Sequence, residues 1–488
     1  MRNKALDNIL VVPSADTLKN SPHSIFYQRN WLPCYILISS SVRKTILMMS
    51  TENVYDVVII GCGPAGIAAA LELQKCQPVP RFIIVEARDR VGGRTYTDTT
   101  TFVADHPIDL GARWIHHYRP ENPLFVHHSS SDQDKFDYAF CHGDETAFLD
   151  EDGTALSEAV LTEAEKIADN LCTLIKQYPS DKEDISIWNC IENEYKKISD
   201  ERLRRVVDMN LAYIEHYEAS NLDRLSTKMY LKTDNDIETC DLTLPTGLGT
   251  FIKQIVERNH LPVQLKTIVT DIQIPSNTDD PIRMTTQDHR QYFSKHVLIT
   301  VPLGCLKAQS IRFTPSLPEW KQNAIEQMGI GLLDKVFLQF PTTFWDEKLE
   351  GIFTASSRFR FFLCHPQDHI LTLFVTGKLA HELEQQTDEQ TITQIIEYIQ
   401  RIFPDAPQPI KWLITRWGCD PYAFGSYSNL PIGATTRTVE ALSRECFDGR
   451  IHWAGEHANY GGTLGCVDSA FESGHRTAKQ IYDYLFPK

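Results

Sequence analysis

The stretch from Tyr55 to Thr97 constrains this chain more than any other. It reads YDVVIIGCGPAGIAAALELQKCQPVPRFIIVEARDRVGGRTYT. A short apolar run, Val57 to Ile60, has strand composition and ends at a glycine. Gly61-x-Gly63-x-x-Gly66 follows and opens an Ala/Leu-rich segment with helical periodicity. A second apolar run, Phe82 to Val85, ends at Glu86. This order predicts a β–turn–α–β unit closed by an acidic residue. Gly61 permits the tight turn out of the strand, Gly63 lets a pyrophosphate approach the backbone, and Gly66 lets the helix pack closely on the strand. Pro64 and Ala65 suit the first helical turn, where a missing N–H is no loss and the free N–H groups face phosphates. Glu86, 20 residues past Gly66, can accept hydrogen bonds from ribose hydroxyls. A lone glycine triplet is weak evidence. Here strand, helix, second strand and acid agree, which favours a dinucleotide site over a structural turn.

The chain has 488 residues, enough for two or three domains or two large interleaved ones. Its net charge of −16 argues against a nucleic-acid partner, which needs a basic face, and is compatible with a cationic substrate. The twelve cysteines show no CxxC pair and no metal-type spacing. Free buried thiols in a reducing compartment, and no bound metal, are the expectation. No run reaches the roughly 18 apolar residues of a membrane span. Residues 1–50 differ from the rest: they hold six basic and two acidic side chains, with no acid between Thr17 and Thr51. A basic, Ser-containing segment can be transit-like. Met48 and Met49 nevertheless stand just before the first strand, so a disordered or spurious extension is the favoured expectation. The expected location is the cytoplasm, or mitochondria if residues 1–50 are real.

The run Arg88-Asp-Arg-Val-Gly-Gly-Arg94 resembles the extension that FAD proteins of the amine oxidase superfamily carry after the acidic residue. The resemblance implies FAD, with Arg94 at the pyrophosphate. Ile108-Asp-Leu-Gly-Ala-Arg-Trp-Ile-His-His117 resembles the polyamine oxidase branch of flavin amine oxidases. By that resemblance Gly111, Ala112, Arg113 and Trp114 lie along the flavin, with Trp114 also toward substrate. His116 falls where that branch has a His or Glu facing the substrate. The bland alternative for His116 is a satisfied histidine at a strand end. Two departures stand out. Arg113 replaces a small or neutral residue, and His117 replaces a glycine. A fixed positive charge beside a polycation costs binding through like-charge repulsion.

Further motifs follow in the order of the same family. Glu151 to about Thr239 has helical patterning, read as part of a substrate domain; its carboxylates, Glu194, Glu215 and Glu218 among them, could help bind an amine, and the usual reading of such residues is a solvated helix face. Leu244-Pro-Thr-Gly-Leu-Gly249 leads into an amphipathic helix, and Val263 to Ile274 alternates like one strand. Val269 matches a family position at the adenine ring. Tyr292 to Pro302 reads as another strand. Met328-Gly-Ile-Gly-Leu-Leu-Asp-Lys335 resembles the family's segment whose lysine reaches flavin N5 through a water, so Lys335 is a catalytic candidate beside His116. Asp388 to Ile402 reads as a helix with one isoleucine face. Thr415-Arg-Trp417-Gly-Cys-Asp-Pro-Tyr-Ala-Phe-Gly-Ser-Tyr427-Ser resembles the family's flavin-contacting loop. Counted from Trp417, the cysteine that binds flavin covalently in monoamine oxidases is Ser426 here, so the expected FAD is noncovalent. Cys419 lies nearby but off register. Tyr427 is expected as an aromatic wall for the amine chain. Trp453-Ala-Gly-Glu456 and Gly465-Cys466-Val467-Asp-Ser match the closing motifs. They imply that Glu456 bonds the ribitol and that Cys466 and Val467, at a helix start, lie by the flavin. Asp468-Ser469 replaces the family's His-Gly and adds an acid near the ring, while Cys466 removes an aromatic or threonine wall.

The expected fold is an α/β, Rossmann-like FAD-binding domain interleaved with a mixed α+β substrate-binding domain. The FAD domain takes residues 53–115, 241–304 and 411–488. The substrate domain takes 116–240 and 305–410. The expected reaction is oxidation of a polyamine at a secondary amine with oxygen as acceptor, in a monomer or weak oligomer. An L-amino acid oxidase and a flavin-bound amine-binding protein with impaired catalysis are the alternatives. A histone demethylase is disfavoured, because no long helical insertion is evident.

Overall fold

A computed structural model describes residues 54–103, 106–116, 121–128, 137–138, 145–230, 241–460 and 463–487. The N-terminal extension and His117 lie outside the described residues. The nucleotide motif forms as its sequence dictates. Strand Val54–Ile60 runs parallel to Phe82–Val85, and helix Pro64–Lys75 connects them. Alternation sets the layers: Val57 and Ile59 point into one apolar core, Val58 and Ile60 into another. The first core is closed by helices Pro64–Lys75, Leu248–Arg258 and Val467–Leu485. Burial on both faces is what a largely parallel sheet needs.

That sheet has eight strands. Arg312–Thr314, Val269–Gln273, Ile282–Thr286, Gln291–Ile299, Val54–Ile60, Phe82–Val85 and Val263–Gln264 follow in order, and Ile451–Trp453 pairs with Gln291–Ile299. The expected single strand over Val263 to Ile274 is therefore two strands on opposite sides of the sheet. Lys266 breaks the run with a φ of 51°, and the chain crosses over before Val269. The alternating apolar pattern marks two half-buried strands equally well, so periodicity missed the break.

A second sheet of six strands runs Lys411–Ile414, Leu333–Gln339, Ile370–Thr376, Phe361–His365, Gly351–Thr354 and Thr146–Leu149. One face (Val336, Leu338, Leu371, Leu373) packs under helix Asp388–Ile402 through Ile392, Ile395, Ile396 and Ile399. That helix has the predicted bounds and starts with a capping box between Thr387 and Gln390. The pairings also draw two boundaries differently from the expectation. Arg312–Thr314 joins the nucleotide sheet, and Lys411–Ile414 joins the second sheet. Helices Glu158–Lys176, Ile187–Tyr195 and Glu201–Glu218 form the predicted helical layer around their own apolar cluster.

One buried charge fastens the C-terminal block. Lys321, on helix Glu319–Gln327, is fully buried. Its Nζ donates to the carbonyls of Ala441 (2.7 Å), Leu442 (2.8 Å) and Arg444 (2.7 Å), at the end of helix Thr436–Ser443. The rings of Trp453 and Trp320 flank it at 4.5 and 5.1 Å. Burial lowers its pKa to about 7. Lys321→Met orphans three acceptors at about 1 kcal/mol or more each, so we expect a loss of about 3 kcal/mol in urea unfolding. The native amine binds fewer protons than the unfolded one between about pH 7 and its ordinary value. Wild-type stability therefore gains with rising pH over that window, and the variant lacks the gain.

Candidate active site

The two sheets meet around one cavity of about 1210 Å³, larger than a typical small-ligand site of roughly 300–1,000 Å³. All of the residues expected to serve the site line it except Gly66. Gly66 acts behind the wall: a Cβ there would sit 2.1 Å from the carbonyl oxygen of Gly61. Gly61 has a φ of 111°, which favours glycine, whereas the space beside Gly63 is open. These are the roles a dinucleotide cradle requires. Glu86 lies at its edge, its carboxylate accepting from the N–H groups of Cys62 (2.7 Å) and Arg88 (2.8 Å).

Two long-range ion pairs close the cradle. Arg88 forks onto Asp420 at 2.8 and 3.0 Å. Arg94 donates to Glu456 at 2.9 Å and to the Ser426 carbonyl at 2.7 Å. Glu456 also accepts from Ser428. Burial works most strongly against its charge, but Arg94, His457 and the Ser428 hydrogen bond together hold the carboxyl below its ordinary range. Val269 and the start of helix Val467–Leu485 complete this end. Ser426 exchanges hydrogen bonds with the Leu333 backbone, and Cys419 contacts Glu384 without lining the cavity. Asp468 opens the last helix as expected, and burial raises its carboxyl toward the neutral form.

Lys335 sits where the two sheets meet. It alternates onto the cavity face of strand Leu333–Gln339, and its Nζ donates to the carbonyls of Asp109 (2.9 Å) and Gly111 (2.6 Å). Burial pushes its pKa down to about 7, Asp109 opposing and Arg113 adding to the shift. A neutral amine can make those two donations and still offer a lone pair.

Strand register extends the site away from Lys335. Lys335 pairs with Phe374, Phe353 with Phe361, and Phe353 with Phe148. Side chains in register share a face, so the rings form a row. Trp114 stacks on Phe374 at 5.9 Å, Phe374 meets Phe361 tilted at 5.3 Å, and Phe361 stacks on Phe353 at 4.7 Å and Phe353 on Phe148 at 5.5 Å. Glu165 and Asp169 of helix Glu158–Lys176, both solvent-exposed, and Tyr213 and Tyr217 of helix Glu201–Glu218 also line the cavity. Tyr427 also lines the cavity, its hydroxyl tied to the His216 carbonyl at 2.6 Å, so it offers its ring.

His116 is held by a residue that sequence reading missed. An isolated bridge pairs Ile115 with Leu242 antiparallel, which sets residue 116 opposite 241. His116 Nδ1 and Asp241 Oδ2 are 2.8 Å apart, and both line the cavity. A carboxylate there keeps the proton on Nδ1 and leaves Nε2 as the basic nitrogen. No local motif announces Asp241, since its partner lies 125 residues away. The Phe148, Phe353, Phe361 and Phe374 row was missed for the same reason.

Known proteins resemble this arrangement. Residues 64–482 match the family model described as flavin containing amine oxidoreductase. "Polyamine oxidase 2" of Arabidopsis thaliana is 29% identical over 87% of this chain and 87% of its own length. "Lysine-specific histone demethylase 1 homolog 3" of the same plant is 27% identical over 88% of this chain, which spans only 30% of that protein. A solved structure of a putrescine oxidase triple mutant, 21% identical, superposes with a TM-score of 0.68 over 88% of this chain and 99% of its own. Glu456→Gln keeps the side chain's shape and removes the charge opposite Arg94. Loss of such a charge-assisted bond is worth about 1.5–3 kcal/mol. Flavin retention on dilution, read by fluorescence of the released flavin, should therefore weaken at least about tenfold.

Proposed function

Because the chain belongs to the flavin-containing amine oxidoreductase family, we propose that it oxidises a polyamine (spermine, spermidine or an N-acetylated form) at a secondary amine. When bound, FAD accepts a hydride at N5 from the carbon beside the nitrogen and passes the electrons to oxygen, yielding hydrogen peroxide. The resulting substrate imine takes up water and parts into an aldehyde and a shorter amine.

The observation that carries this reading is the far half of the cavity. An aromatic row beginning at Trp114 lines it together with the carboxylates of Glu165 and Asp169, both solvent-exposed. Ring faces attract ammonium groups and carry methylene chains, while carboxylates select cations. An extended chain with several amines matches both. The resemblance to a polyamine oxidase over 87% of both chains supports the same substrate class.

The chain's own groups have defined tasks. A protonated nitrogen has no lone pair to assist loss of hydride, so the reacting amine has to shed its proton. His116, oriented by Asp241, is the base within the cavity that receives it. Lys335 fixes the Asp109–Gly111 backbone against the second sheet and offers its remaining lone pair at the cavity wall. The row of rings excludes water beside the reacting carbon.

The reading is tested by anaerobic mixing of the FAD-loaded protein with spermine, N-acetylspermine and a panel of L-amino acids, following flavin absorption. Bleaching by a polyamine is expected. Bleaching by amino acids alone would replace the polyamine by an amino acid, and no bleaching by any of them would favour a non-catalytic binding role.

Two variants probe the assigned groups. Asp241→Asn should slow the bleaching rate about tenfold or more, within the usual span of general-base effects, and Asp241→Glu should recover part of the loss. Lys335→Met should retain FAD and lose one ionisation. The wild-type pH profile of flavin half-reactions should bend near pH 7 as the buried amine loses its proton on rising pH. The bend should vanish in the variant, and a bend that persists would assign it to another group.

A further inference from the structure

Arg113 is the one predicted site residue whose chemistry the proposed reaction does not use. It lines the cavity between Ala112 and Trp114, where Lys335 bonds the Gly111 carbonyl. Its backbone is fixed by its neighbours: Ala112 N–H donates to the Arg94 carbonyl at 3.2 Å and Ile115 pairs with Leu242. The other arginines of the cavity wall are matched to carboxylates. Arg88 meets Asp420, Arg94 meets Glu456, and Arg360 meets Glu215 at 3.0 Å. Among the described residues Arg113 makes no ion pair and no hydrogen bond, and its Nε is shut off from solvent without a partner. The Trp114 ring lies 5.9 Å from the guanidinium carbon.

The nearest acids do not neutralise it at contact. Asp109 attracts Arg113 through space, but its oxygens already accept from Thr97 Oγ1, Leu248 N–H and Gly249 N–H. Glu350 attracts it from farther along the second sheet, also without an ion pair. The positive field reaches inward instead, where it disfavours protonation of Lys335 and His365. The cavity is thus bipolar. Its Lys335 end carries an unmatched fixed cation, and its wall on helix Glu158–Lys176 carries Glu165 and Asp169.

A part-buried guanidinium whose Nε is shut off from solvent without a partner is costly unless a ligand supplies the counter-charge. Its planar fork fits a carboxylate in two parallel hydrogen bonds. We propose that Arg113 is a carboxylate anchor, so that the substrate is a secondary amine with unlike ends: an aminoalkyl tail toward the acidic wall and a short arm ending in a carboxylate at Arg113. This rests on the amine-oxidation reading above and changes only the group carried by the short arm. An ammonium in that place would meet Arg113 as a like charge.

A matched pair of probes isolates the effect. N-(2-carboxyethyl)-1,4-diaminobutane carries a carboxylate where spermidine carries an aminomethyl group. The FAD-loaded protein is mixed anaerobically with each, and bleaching is followed to give a saturation constant and a limiting rate. Wild type should favour the carboxylate probe at least tenfold in their ratio, the scale of a charge-assisted hydrogen bond. Arg113→Met should raise the saturation constant for that probe at least tenfold, with a much smaller change in limiting rate, and move the ratio of the two probes toward spermidine. Arg113→Lys should recover part of the preference. Equal use of both probes by wild type, or a preference for spermidine, would overturn the proposal without any variant. Equal slowing of both by Arg113→Met, with a shifted flavin band, would assign the guanidinium to the flavin instead. If spermidine bleaches the flavin and the carboxylate probe does not, the anchor falls and the oxidase reading stands. If no amine bleaches it, both fall.

Discussion

The reach of Lys335 across the cavity is the contact on which the site depends. Its backbone belongs to the six-stranded sheet, and its Nζ is bonded to the carbonyls of Asp109, which ends strand His106–Asp109, and of Gly111. Those bonds tie this segment to the sheet beside the apolar cluster of Ile108, Leu110, Phe337 and Ile370. Burial, which makes those bonds strong, also lowers the amine's proton affinity to about 7. Position and protonation state share a cause: a lysine long enough to cross the gap cannot do so without losing water.

What the sequence made legible follows from the range of the interactions. The Gly61–Gly66 turn, the helix Asp388–Ile402 and the helix start at Val467 are set by neighbours within a turn or two, and each was readable. Lys335, Arg94 and Glu456 were readable through resemblance, and all three line the cavity. Asp241 was not, because the bridge between Ile115 and Leu242 alone brings it to His116. The row from Trp114 to Phe148 draws on residues from separate segments, and only strand register makes it continuous. The run Val263 to Ile274 failed for a third reason. Alternation records a half-buried surface and is blind to which sheet edge supplies it.

The charge pattern of the cavity separates holding from choosing. Arg88 and Arg94 are matched by Asp420 and Glu456, so their charges are largely spent on closing the nucleotide end. Those pairs span 332 and 362 residues, which makes cofactor retention sensitive to the whole chain. Arg113 and the acids on helix Glu158–Lys176 are not matched to each other in this way. Fixed charge on a cavity wall that is not matched by a neighbour acts on whatever enters it.

The long strand Gln291–Ile299 pairs antiparallel with Ile282–Thr286 over its first half and parallel with Ile451–Trp453 over its second. That arrangement governs how the protein can be made. A ribosome delivers the glycine turn early, but the strand and carboxylate that finish the same cradle come near the end of translation. Flavin meeting the nascent chain finds half a socket, with Arg94 still lacking Glu456. Cofactor loading therefore belongs after synthesis, and a chain truncated before Glu456 would keep the nucleotide motif intact and have little with which to hold its flavin.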